Sequence, residues 1–194
     1  MRQLAVYLIL SILPFSCTEA QEIPPAEWQI KTAVLAAPEE YREGAKVYGY
    51  DANGDFTTLR EGSNAYICIA DDPYKEDFST AAYHKELDAF MARGRALKAE
   101  GKDGKEVFAI REKEVKDGTL KMPDKATLCV FSGEVNATTK EVENPYVRYV
   151  FYMPFATGES TGLPTTTTPP GHAWLMDAGT HRAHIMITPP KAEN

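Results

Sequence analysis

A single α+β domain with a mostly antiparallel sheet and two or three packed helices is what the sequence predicts, and three observations lead there. Short runs with β pattern occupy both the early and the late parts of the chain. Two runs of helical period separate them. Gly, Pro and Asn punctuate the boundaries, and no internal repeat is present. Strands, then helices, then strands is the order expected of α+β rather than of a parallel α/β sheet.

Element by element, Trp28 to Ala37 reads as a helix whose apolar surface comes from Trp28, Ala33, Leu35 and Ala36, and Pro38 stops it. Lys46 to Tyr50 and Phe56 to Arg60 flank the Asn53-Gly54 pair, a strong hairpin signal. Ala65 to Ala70 is a third strand, closed by Asp71-Asp72-Pro73. From Ala81 to Glu100 the period becomes helical, with Leu87, Phe90, Met91 and Leu97 on one stripe and Gly101 ending it. Gly94 shares that stripe and would permit close packing. Lys105 to Lys116 is a further helix, and Ala126 to Phe131 and Tyr146 to Met153 return to β pattern. Thr157 to Gly171 is a Gly-, Thr- and Pro-rich loop, Ala183 to Thr188 a final strand, and residues 189–194 a polar tail.

The 194 residues divide into a leader, residues 1–20, and one globular domain, residues 21–194. With 43% hydrophobic and 25% charged residues the domain can bury a core without metals or disulfides. Formal net charge is -7, which argues against nucleic acid or anionic membrane as a partner. In the leader, Arg2 supplies a positive start, Leu4 to Phe15 an apolar stretch, and Ser16 to Ala20 a polar end with small residues. Past the leader no run approaches the ~20 apolar residues that span a bilayer. Two processing routes stay open: cleavage after Ala20, releasing the domain into the periplasm, or lipidation of Cys17, whose preceding Ser16 resembles a lipobox. Pro14 stands where the usual leucine of that motif belongs, so the match is relaxed.

Export places Cys68 and Cys129 in an oxidising compartment, each within an apolar β-like run. A bridge between neighbouring strands and two buried free thiols are both compatible with that pattern.

Several motifs carry chemistry on paper. Gly158-Glu159-Ser160-Thr161-Gly162 matches the nucleophile elbow, and Asp177, His181 and His184 follow in the order of a hydrolase triad. The helix that should follow Ser160 is replaced by Leu163-Pro164 and a threonine run, which favours a turn. Asp51, Asn53 and Asp55 have calcium-loop spacing, yet Phe56 and Gly62 stand where Gly and Glu are required, so a hairpin turn explains them. Three of the four histidines, His172, His181 and His184, gather with Asp177 near the end of the chain, a set that could take zinc or copper. On a strand His181 and His184 face opposite ways and converge only if Gly179 to Arg182 turns. The alternative is structural: His184 and Met186 lining one face, His172 and Asp177 bonding within loops. Asn136-Ala137-Thr138 fits a glycosylation acceptor, relevant only to a eukaryotic secretory route.

The segments Ala65 to Pro73, Tyr83 to Arg95 and His172 to Asp177 resemble a family of exported bacterial proteins to which no activity is assigned. That resemblance implies an envelope location and transfers no functional residue. The reading the sequence favours is a non-enzymatic periplasmic or envelope protein that binds a small ligand or an envelope protein, with residues 157–177 as the contact surface. The competing reading is a metal-assisted hydrolase built on His172, Asp177, His181 and His184, with Ser160 or a metal-bound water as nucleophile.

Overall fold

The computed structural model describes residues 22–190, so the leader with Cys17 and residues 191–194 lie outside the described residues. Helix α1 (Ala26–Ala33) continues into a 3-10 turn, Val34–Ala36, and a second 3-10 turn, Glu39–Tyr41, follows Pro38. Then come β1 (Lys46–Tyr50), β2 (Phe56–Arg60), β3 (Tyr66–Ile69) and β4 (Ser79–His84). A 3-10 turn, Lys85–Leu87, leads into α2 (Asp88–Ala99) and α3 (Gly104–Lys116). The chain closes with β5 (Ala126–Val135), β6 (Val142–Tyr152), a one-turn helix α4 (Gly158–Thr161), β7 (Ala173–Met176) and β8 (His184–Ile187).

All strands join one eight-stranded sheet in the order β2-β1-β3-β4-β5-β6-β8-β7. Every pairing is antiparallel except β1 with β3. The expected α+β architecture is therefore the observed one. Alternation along each strand gives the sheet two apolar faces. On one, Val47, Cys68, Ala82 and Phe131 pack against Ala33 and Ala36 of the first helix and its 3-10 extension. On the other, Ile67, Tyr83, Leu128, Val150 and Tyr152 pack against Leu87 and Phe90. A smaller cluster, Leu175 with Ala156 and Ala183, closes the β7–β8 end. No helix among the described residues is long and apolar enough to cross a membrane.

The hairpin follows its sequence signal: Asp51 Oδ1 accepts from the N–H groups of Asn53 and Asp55, and Gly54 takes φ 83°. The Asp51 carboxylate is thus committed to the turn. Asp103 caps α3 in a capping box with Glu106, which satisfies the first amide groups of the helix.

Two expectations need correction. The helical run does not begin at Ala81, because residues 79–84 form β4, a central strand between β3 and β5. The stretch Thr157 to Asp177 is not all loop, since it holds α4 and β7. The open question about the cysteines is answered as well: both thiols are free. Ala82 pairs with Cys68 on one side and with Cys129 on the other, so the two lie two strands apart. At ~4.8 Å per strand that is about 10 Å, too far for a disulfide without backbone movement. Burial pushes the Cys68 thiol up to about 12 and raises that of Cys129, so neither is poised as a nucleophile.

Candidate functional site

The C-terminal residues singled out by sequence build a scaffold. His172 is exposed just before β7, at the far end of the β7–β8 hairpin from His184, which pairs with Met176. Asp177, at φ 53°, accepts from Arg182 Nε at 2.7 Å and anchors a turn in which the Thr180 N–H reaches the Asp177 carbonyl. The chain therefore turns over residues 177–183, where the Ala183 N–H also reaches the Thr180 carbonyl. It sends His181 into the core, fully buried, with its ring 4.7 Å from that of Phe108 on α3 and 5.6 Å from that of Phe90 on α2. His184 is also buried, its Nδ1 2.7 Å from the Arg182 carbonyl and its ring 5.3 Å from that of Tyr152.

Electrostatics in this pocket of the core is unfavourable to protons. Among the described residues, both ring nitrogens of His181 lack a hydrogen-bond partner, as does Nε of the buried Arg111. Arg111 lies 3.9 Å over the Phe90 ring, donates from Nη1 to the Phe90 carbonyl, and fits because position 94 is glycine; a Cβ there would stand 2.9 Å from Nη1. Burial, reinforced by the Arg111 charge, lowers the His181 pKa to about 4. Burial lowers that of His184 and raises that of Tyr152. Among the described residues no group of three or more His, Cys, Asp or Glu side chains could hold a metal ion. Zinc and copper thus have no preformed ligand set in the C-terminal cluster.

Ser160 is exposed on α4, where it caps the helix: its hydroxyl accepts from the Thr157 N–H at 2.9 Å and donates to the Thr157 carbonyl at 3.1 Å. The Gly-x-Ser-x-Gly match is a capping box followed by Gly162 in the left-handed region.

What the scaffold holds is a turn that sequence reasoning missed. The Ala156 N–H donates to the Met153 carbonyl at 3.0 Å, closing a β-turn with Pro154 and Phe155 at its centre. Proline fixes the first central residue near φ -65°, and Phe155 takes φ 63°, which makes this a type II turn. Its second central position calls for glycine, because a Cβ meets the backbone in that region. A bulky aromatic there costs about 1–2 kcal/mol. The strain persists because the neighbouring chain over-determines the turn. Met153 N–H donates to Ala183, Phe155 N–H to Thr180 at 2.7 Å, and Gly179 N–H returns to Ala156 at 2.7 Å. These are the residues that His181 and the Asp177–Arg182 pair hold in place.

The Phe155 side chain is 41% exposed. It forms, with Pro154 and Pro123, the wall of a groove of about 930 Å³ over Leu120 and Met122. Lys85 and Lys121 line the same groove and have no ion-pair partner among the described residues. The arrangement offers an aromatic surface, apolar residues beneath it and a charged lining in which Glu86 and Asp124 balance the two ammonium groups. It contains no nucleophile-and-base pair. The only prior hint was Pro154 followed by a residue other than glycine, and that pattern alone does not reveal a positive φ.

No protein-family model matches the chain, and neither a curated protein nor a solved structure matches it.

Proposed function

We propose that the mature chain works in the bacterial envelope as a non-enzymatic binding protein, taking a small ligand with a flat apolar face in the groove walled by Phe155. The leader in the sequence supports the location. The observation that carries the function is the exposed Phe155 ring, kept at a turn position where glycine would relieve the backbone. Backbone strain at a solvent-facing aromatic has a purpose when the ring touches something from outside. Lys85 and Lys121 share the groove with Glu86 and Asp124, so its charged lining is balanced and the flat apolar face of the ligand is what the site selects.

The test is a ligand-observed NMR screen of small envelope metabolites against the wild-type protein and Phe155→Gly. Ligands found with the wild type should bind at least tenfold more weakly to the variant. Hits that bind both proteins alike would overturn the assignment of the groove.

A further inference from the structure

A second concave site lies at the opposite end of β5 and β6, and it shares no lining residue with the Phe155 groove. The β5–β6 ladder shifts register between Ser132 and Glu134. Gly133 is required there, since a Cβ would stand 2.5 Å from Val142 Cγ1 and 2.8 Å from the Glu143 carbonyl oxygen. On the partner strand Asn144 takes φ 48° and Pro145 follows, a combination suited to a bulge. Bulges re-aim side chains, and this one opens a groove of about 800 Å³.

Ser79 and Ser132, both hydroxyl-bearing, line that groove together with Arg148 of β6. Arg148 Nε is shut off from solvent and has no hydrogen-bond partner, and among the described residues no carboxylate oxygen comes within 4.0 Å of the guanidinium. An Nε shut off from solvent without a partner is costly, and the planar fork of the half-buried Arg148 guanidinium matches a carboxylate or phosphate. Asp77 and Glu134 line the same groove, both exposed and both without an ion pair among the described residues. They would repel a simple anion and attract an ammonium group. Lys75 is also present, but its ammonium group is already 2.9 Å from Asp72.

We infer that this groove is a binding site for a small zwitterion, whose oxyanion end pairs with Arg148 and whose ammonium end faces Asp77 and Glu134. The charges present supply one cationic anchor and two acidic partners, and the hydroxyls complete the polar lining. Free amino acids and the termini of short peptides share this chemistry.

Titration of the full mature chain, followed by backbone amide shifts of residues 132–134 and 146–148, tests the site. The probes are glycine, β-alanine, diglycine, acetate, inorganic phosphate and ethylamine. At least one zwitterion should saturate with an affinity tenfold or more above acetate, phosphate and ethylamine; the preference between β-alanine and diglycine separates the free amino acid from the peptide. Arg148→Gln should weaken that binding at least tenfold, with Arg148→Lys between the two. The exposed pair Asp77→Asn with Glu134→Gln is independent of any folding defect at Arg148, and it should erase the preference for the zwitterion over acetate. The inference is overturned if no zwitterion saturates, if acetate or phosphate binds as well, or if the zwitterion's affinity survives either variant.

Discussion

The Phe155 turn and the His181 core are neighbours joined by backbone hydrogen bonds, yet they store unfavourable energy in opposite ways. At Phe155 the cost is conformational and the side chain faces solvent. At His181 the backbone is relaxed, and the cost is a desolvated imidazole with two unpaired nitrogens beside Arg111. The first can be relieved by a residue change with little harm to the fold, and its ring faces outward. The second is locked under α2 and α3, so its retention points inward, to holding the turn. Unfavourable groups in one protein therefore need sorting by exposure before they are read as functional.

The comparison can be broken in several places. Phe90 touches Arg111, His181 and Tyr152, so Phe90→Ala should have the largest effect. A loss of about 3–5 kcal/mol in chemical denaturation is expected. A loss under about 1 kcal/mol would show that this core does not hold the turn.

Acid comes next. The folded-state pKa of His181, about 4, lies below its unfolded value of 6.5, so the unfolded chain binds the extra proton. The stability is complete above pH 6.5 and drains away as pH falls from 6.5 towards 4, at up to about 1.4 kcal/mol per pH unit. His184, lowered by burial, acts in the same direction. The groups facing His181 do not reverse the sign: Arg111 and Arg182 disfavour its protonation, and Asp177 and Glu112 only partly offset them. Urea melts at pH 7, 6 and 5 would sink this account if the midpoint stayed constant.

His181→Leu sharpens the point. It removes two unpaired polar atoms at similar volume, so stability at pH 7 should change by less than about 1 kcal/mol while the acid slope becomes shallower. An unchanged slope would assign the acid response to His184. Smallest of all should be Phe155→Gly, where relief of the backbone offsets the partial loss of ring burial and glycine's extra chain entropy, leaving stability within about 1 kcal/mol. A fall in Tm beyond about 4 °C would make the ring a structural one.

Much of the fold was legible because its local signals agree with its tertiary role. Asn53-Gly54 marks the first hairpin, and Lys105 to Lys116 is found as α3 to within one residue. The failure at β4 is physical. Ala81 and Ala82 favour helices intrinsically, and Tyr83, Leu87 and Phe90 fall at helical spacing, but pairing with β3 and β5 outweighs propensity for a strand in the middle of the sheet. The histidines were legible as a group and not in their role, because only the turn at Asp177 decides where His181 points. Phe155 and Arg148 were invisible as site residues. One depends on the sign of a backbone angle and the other on a bulge, and neither leaves a pattern in residue types.

The order of the last three strands, β6-β8-β7, has a consequence for how the chain is made. Among the described residues, β8, the last strand in sequence, is inserted inside the sheet, and β7 waits at the margin with β8 as its ladder partner. Until residues 184–187 are available, β7 cannot join and the cluster around Leu175 stays open. Completion of the sheet thus waits on residues 184–187, the segment that pairs with β6 and β7 at once.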